Sequence, residues 1–197
     1  MIVDYIDSSL DRKLRSLLEK LPEPSKSLVW LLLLTGLRIG ELLALRWQDV
    51  DLDAGLLRVR RTLYEGHFDE PKTRSSARTV PLSSRGLLIL SRFKTGLEAP
   101  ETLVFRTSQG TPLCRRNLRN RQLDPVCEEL KIPKIGWHTL RHSNATLLDA
   151  VGTPLGTVQS LLGHSSPDSR LCRGESACLR MCTHGRTLCG RRDYGCA

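Results

Sequence analysis

The sequence predicts a mainly α protein with a small antiparallel β-sheet, an α+β domain. Apolar residues recur at helical spacing in most segments, punctuated by glycine, serine and proline. Strand-like alternation is confined to two short stretches between Asp53 and Leu82. A chain of 197 residues, 40% of them apolar, suits one domain with a real core, or one domain plus a tail.

Leu10, Leu14, Leu17 and Leu18 share one helical face, and Pro22 and Pro24 end that segment. Ser25 is placed to cap the helix SKSLVWLLLL, which Gly36 stops. LRIGELLALRW reads as the next helix, with Gly40 a mild weakener inside it. In DAGLLRVRRTL, Leu57 and Val59 alternate with Arg58 and Arg60, and Glu65 and Gly66 mark a turn. PKTRSSARTVPLS is a basic, serine-rich loop leading into a strand from Arg78 to Leu82. GLLILSRF and RRNLRNRQLDPVCEEL are helical, with Pro125 either starting a helix or kinking one. WHTLRHSNATLLDAVG forms a helix closed by Gly152. Thr153 and Pro154 fit the cap and first position of PLGTVQSLL, which Gly163 closes, and Ser166–Pro167 repeats the start signal. The chain divides into an N-terminal helical segment (1–21), a body (22–170) and a Cys/Arg-rich tail (171–197).

The longest apolar run, Leu28 to Leu34, is far short of the ~20 residues that span a bilayer. The start, MIVDYIDSSL, lacks the basic-then-apolar order of a secretory signal, which gives a cytoplasmic expectation with no membrane partner. Five of the seven cysteines lie in the last 26 residues and form no C-x-x-C pair, so neither a disulfide framework nor a metal site is expected. The net charge of +9 suits a polyanionic partner if the cations cluster. In residues 171–197 five arginines face Glu175 and Asp193, so the body is basic on its own account.

Four stretches place cations where chemistry could use them. In TGLRIGELLALRW, Arg38 follows a glycine turn at a helix start, where a guanidinium can grip a phosphate bidentately. Its ordinary alternative is an ion pair with Glu41 one turn later. In PKTRSSARTVPL, Lys72 sits in an inter-strand loop with Arg74, either a solvated turn lysine or a proton donor to a leaving oxygen. In GWHTLRHS, His138 and Arg141 share a helix face, anchored by Trp137 and Leu140, while His142 falls on another face. In LLGHSS, His164 follows a C-cap glycine and taken alone is a loop histidine.

Taken together and in this order, TGLRIGELLALRW, KTRSSARTVPL, HTLRHSNATLL and LLGHSS resemble the catalytic domain of the tyrosine recombinases, the phage-integrase family, from about Pro22 to Pro167. The resemblance implies a mostly helical domain that grips double-stranded DNA in a basic groove and self-associates on it as a tetramer. It implies that Arg38 and Arg141 clamp the scissile phosphate, with Glu41 supporting Arg38. Lys72 then protonates the 5′-oxygen, His138 assists proton transfer at the nucleophile, and His164 hydrogen-bonds the phosphate. DNA contacts fall to Arg38, Lys72, Arg74 and Arg141. The implied chemistry is DNA recombination and integration: a tyrosine attacks the phosphodiester, and a 3′-phosphotyrosine conserves the bond energy without a cofactor. Fixed cations take the place of a metal in stabilising the transition state.

The sequence departs from the family at the nucleophile. The family tyrosine stands nine residues beyond the histidine of LGH, and that position is Arg173 here. The one tyrosine after His164 is Tyr194, followed by Gly195 and Cys196. Three readings follow: a frame shift after Pro167 that leaves an inactive product, Tyr194 acting from an unusual tail, or a DNA-binding relative that no longer cuts. The resemblance also implies an N-terminal DNA-wrapping domain, where only about 22 residues precede the catalytic pattern, so a fragment or a short form is expected.

Overall fold

The computed structural model describes residues 12–69 and 77–163. It is helix-rich, with two small antiparallel sheets, as the sequence predicts.

Helix α1 (Arg12–Lys20) buries Leu14, Leu17 and Leu18, the apolar face read from the sequence. Helix α2 (Ser25–Thr35) is buried nearly all round, with Leu28, Leu31, Leu32 and Leu33 fully enclosed. A helix apolar on every side has to sit in the centre of a core. Truncating any one of these leucines to alanine costs about 2–5 kcal/mol. Ser25 is not its cap. Pro24 holds the N-cap position, the Glu23 carboxylate accepts from Ser27 N–H at 3.2 Å, and Ser25 is the buried first residue of the helix. A longer acidic side chain reaching over the first turn satisfies the same orphan donors.

Gly36 ends α2 at φ +64°, its N–H donating to Leu32 O at 2.9 Å. Helix α3 (Ile39–Leu43) is shorter than expected. It stops at Ala44 because the chain turns there to join the 95–105 loop: Leu45 O accepts from Val104 N–H at 2.9 Å and Trp47 N–H donates to Thr102 O at 3.1 Å. Gly40 has a packing reason to be in this helix. A Cβ there would meet Leu63 O at 2.6 Å and Thr62 Oγ1 at 2.7 Å, so glycine lets α3 lie directly on a strand.

A three-stranded sheet runs in the order β1 (Val50–Asp51), β2 (Leu56–Val59), β5 (Arg78–Pro81), with Leu57 opposite Val80 and Val59 opposite Arg78. Pro81 is tolerated because β5 is an edge strand. Strands β3 (Thr62–Tyr64) and β4 (His67–Asp69) form a separate hairpin. Its two turn residues, Glu65 and Gly66, both take positive φ, matching the twist of a tight hairpin.

Helix α4 (Ser84–Ser91) begins at a Ser83 cap, whose Oγ accepts from Gly86 N–H at 3.2 Å. Helix α5 (Arg115–Leu118) runs through a wide π turn (Arg119–Leu123) into α6 (Asp124–Glu129). Pro125 therefore lies in the first turn of α6, the helix-start placement that the sequence allows. Its missing N–H and bulky ring are absorbed by the π turn before it, where Asp124 N–H reaches back to Arg119 O. Helix α7 (Trp137–Ala150) packs on α2, and α8 (Leu155–Leu162) packs on α7 and β5. Pro154, rather than Thr153, occupies the N-cap of α8, its carbonyl accepting from Thr157 and Val158 N–H. Among the described residues, no helix is long and apolar enough to cross a membrane.

Gly36 is where this packing is tightest. A Cβ there would meet Asn144 Oδ1 at 2.4 Å and Leu162 Cδ2 at 2.5 Å, on a backbone that L side chains rarely adopt. Left-handed strain and overpacking together imply that Gly36→Ala lowers stability by about 2–4 kcal/mol. A urea denaturation midpoint measured beside wild type checks this.

Candidate functional site

The site is assembled where α3, β5, α7 and the end of α8 converge. Arg38 stands at the N-cap of α3 in an extended conformation, φ −75° and ψ 146°. Three residues on, Glu41 is buried within the first turn. Its Oε2 accepts the Arg38 backbone N–H at 2.8 Å, and its Oε1 accepts Arg38 Nη1 at 2.8 Å. The pair Arg38–Glu41 is thus both a helix cap and an ion pair.

Arg78, the first residue of β5, closes on the same carboxylate. Its Nη2 donates to Glu41 Oε2 at 2.9 Å and its Nη1 to Oε1 at 3.1 Å. Both side chains are almost fully enclosed, at 7% and 5% exposure, so this is a buried, bidentate pair. Burial pushes the Glu41 pKa up. The hydrogen bonds and charge of Arg78, then those of Arg38, outweigh that and hold it below the ordinary carboxylate value. Arg78 Nε donates to Leu161 O at 2.7 Å at the end of α8. There Gly163, at φ +63°, leaves room for the guanidinium: a Cβ would meet Arg78 Nη1 at 2.9 Å.

Arg141 comes from the buried side of α7. Nη1 donates to Gly36 O at 2.5 Å, and Nη2 donates to Leu162 O. The left-handed turn at Gly36 aims that carbonyl inward, and the C-terminal carbonyls of α8 carry the negative end of a helix dipole. Burial, followed by the nearby charge of Arg38, lowers the Arg141 pKa to about 10; Glu41 opposes this and Arg78 adds to it. Arg141 is therefore still charged at neutral pH, in a setting that penalises the charge. Asn144, one turn further along α7, ties the helix to α2 by donating to Leu33 O at 2.7 Å.

His138 is an exposed residue whose ring is partly desolvated. That desolvation, then His142, Arg141 and Arg38, lower its pKa below the usual imidazole value, so it is largely neutral at pH 7. His142 does not fall on a separate face: the two rings meet edge-on with centroids 5.8 Å apart, as i and i+4 positions on one helix should. Trp137 and Leu140 are buried and hold the start of α7, with Trp137 Nε1 donating to Arg115 O at 3.2 Å.

The structure thus brings together Arg38, Glu41, His138 and Arg141 from the sequence-predicted set. Lys72, Arg74, His164 and Tyr194 lie outside the described residues. Arg78 was missed by the sequence reading, which assigned it to a basic loop and strand start. A signal was present. Arg78 and Val80 are two apart in a strand and so share a face, and Val80 is core, which turns an arginine inward. The carbonyls of Gly36, Leu161 and Leu162 carry no side-chain signature, and only the folded chain identifies them as anchors.

The arrangement is suited to an anion. Two guanidinium groups and two imidazoles lie close together, and the nearby carboxylate is already shared between Arg38 and Arg78. Among the described residues, no group of three or more His, Cys, Asp or Glu side chains could hold a metal ion.

The sequence pattern of the phage integrase family matches residues 8–169. A tyrosine recombinase XerC-like protein of Caldanaerobacter subterraneus subsp. tengcongensis is 31% identical over 188 residues, 82% of this chain and 48% of that protein. The integrase of Staphylococcus phage L54a is 30% identical over 168 residues, 77% of this chain and 45% of that protein. The chain spans about half the length of these curated relatives. Among solved structures, the Tn1549 transposon integrase in complex with circular intermediate DNA superposes with a TM-score of 0.67 at 23% identity, covering 84% of this chain and 64% of that one. The XerA recombinase gives 0.67 at 21% identity, covering 87% and 62%. At such identities these two likenesses establish the fold.

The lowered Glu41 pKa sets a pH dependence. A carboxylate whose folded pKa lies below its unfolded value stabilises the fold above the unfolded pKa, near 4.5, and that contribution is lost as pH falls through the folded pKa. Glu41→Gln is expected to be less stable than wild type by about 3 kcal/mol at neutral pH, the order for disrupting a buried pair. The gap is expected to narrow below the unfolded pKa, read from urea midpoints of both proteins across an acid series.

Proposed function

The chain belongs to the phage integrase family, and on that footing we propose that Arg38, His138 and Arg141 form the phosphate clamp of a site-specific recombinase domain acting on double-stranded DNA. The observation that carries this reading is the state of Arg141. It is a buried cation pinned by two backbone carbonyls, with Arg38 close enough to disfavour its charge. A protein retains such a group at a cost, and a perturbed charge held ready in a shared site is the mark of a functional one. A phosphodiester would relieve the repulsion and accept the remaining donors of Arg38.

In the reaction this supports, the two guanidinium groups hold the scissile phosphate and offset the extra negative charge of its transition state. His138, neutral at pH 7, can take a proton from a tyrosine hydroxyl as its oxygen bonds to phosphorus, and can return it in the reverse step. Lys72, two residues before Arg74 in sequence, would supply the proton for the departing 5′-oxygen, and His164 a further hydrogen bond to the phosphate. The attacking oxygen displaces the 5′-oxygen, one phosphoester replaces another, and no cofactor is consumed. Self-association on DNA, as a tetramer, and a cytoplasmic setting with the bacterial nucleoid belong to the same proposal.

A second reading is favoured by one specific observation. Arg173 stands at the spacing where the family places its nucleophile, and Tyr194 lies thirty residues past His164. A chain that binds duplex DNA without cutting it accounts for this equally.

Both readings require duplex binding that weakens with salt, since each phosphate neutralised contributes about 0.9 to the slope of log affinity against log salt. Arg38→Ala is expected to weaken a duplex oligonucleotide by about tenfold and to lower that slope by about one, measured by fluorescence anisotropy. A nicked suicide duplex separates the readings: a covalent protein–DNA band that Tyr194→Phe abolishes identifies a recombinase using Tyr194. A band that persists in that variant excludes Tyr194, and no band favours the binding module.

A further inference from the structure

Arg78 makes three connections that no other described side chain combines. It neutralises Glu41 through both oxygens, it holds the last turn of α8 through Leu161 O, and it starts the strand that follows directly on the 70–76 segment carrying Lys72. Its side chain is enclosed, and both of its terminal nitrogens are bonded to the Glu41 carboxylate. Arg38 is placed differently. Its side chain is 40% exposed, and among the described residues its guanidinium meets Glu41 through Nη1. Both arginines share one carboxylate: Oε1 accepts from Arg38 Nη1 and from Arg78 Nη1, so losing Arg78 leaves it to the Arg38 guanidinium.

The geometry points to Arg78 as a positioning residue that sets how Arg38 is presented to a DNA phosphate, an inference that rests on the phosphate-clamp reading above. With Arg78 in place, Glu41 is already bonded through both oxygens and needs only one side-chain contact from Arg38. Without it, a buried carboxylate faces Arg38 alone and draws the guanidinium inward, away from any ligand. A lysine at this position would keep the charge but not the fork. Its single ammonium cannot reproduce two parallel bonds to Glu41 together with the bond to Leu161 O. The other contacts point the same way. The close approach of Gly163 to the guanidinium, where a Cβ would meet Arg78 Cζ at 3.2 Å, means that α8 leaves this arginine little room to move.

The test is a double-mutant cycle on duplex-DNA binding by the full chain, read as affinity and as salt slope. Arg78→Lys is expected to weaken binding of a duplex oligonucleotide about three- to tenfold and to lower the salt slope by about one, as Arg38→Ala does. The double variant is expected to bind no more weakly than Arg38→Ala alone. Losses that multiply, or an unchanged slope beside a lower melting temperature, would mean that Arg78 acts independently or only holds the fold, and either overturns the inference. Should Arg78→Lys fail to melt cooperatively, Glu41→Gln/Arg78→Gln removes both charges of the buried pair together. In that background Arg38→Ala should cost less than twofold, and a cost equal to that in wild type overturns the inference. If wild type itself binds duplex without salt dependence, or Arg38→Ala binds as well as wild type, the clamp reading fails first and takes this inference with it.

Discussion

Glu41 carries its charge inside the protein, and the surrounding chain is arranged to neutralise it there. Leaving a carboxylate buried and unpaired would cost several kcal/mol, so the pairing constrains every element that contributes to it. The first turn of α3 supplies the backbone N–H of Arg38, β5 supplies the fork of Arg78, and the same guanidinium ties in the end of α8 through Leu161 O. One acidic residue on a five-residue helix thereby fixes the relative placement of a helix start, a strand start and a helix end.

Arg141 is the counterpart of that constraint. Where Glu41 is held by two guanidinium groups, Arg141 is held by the carbonyls of Gly36 and Leu162, and burial followed by the charge of Arg38 brings its pKa down to about 10. The left-handed turn at Gly36 is what makes this possible, because it both ends α2 and exposes a carbonyl to α7. His138 borders the cluster on its exposed side, where partial desolvation, followed by the neighbouring charges, lowers its pKa below the usual imidazole value. The stability spent on these groups makes sense if an anion completes the site, and the family to which the chain belongs supplies a physical reason for one.

Much of this was legible in the sequence because it depended on local chemistry. The apolar face of α1, the glycine stops at Gly36 and Gly163, the Glu65–Gly66 turn and the shared face of His138 and Arg141 all follow from residue type and spacing over a few positions. The misses needed tertiary information. Ser25 looked like a cap until Glu23 reached the same donors, and α3 looked long until residues 95–105 folded back to stop it. His142 was separated from His138 although four residues on a helix place them together. Arg78 was the costliest omission: the sequence places it at the start of the strand but assigns it no role, although its spacing from the core residue Val80 turns its side chain inward. Backbone carbonyls as anchors cannot be read from residue types at all. Lys72, His164 and Tyr194 remain sequence expectations.

The account turns on Arg38, His138 and Arg141 acting on one phosphate. The most direct measurement is an experimental structure of the full chain bound to a duplex oligonucleotide. The account predicts a backbone phosphate within hydrogen-bond distance of both guanidinium groups and of the His138 ring, with Glu41 still bonded to Arg78. A duplex seated elsewhere, on the Arg58–Arg61 face for example, with these three side chains unliganded, would contradict it.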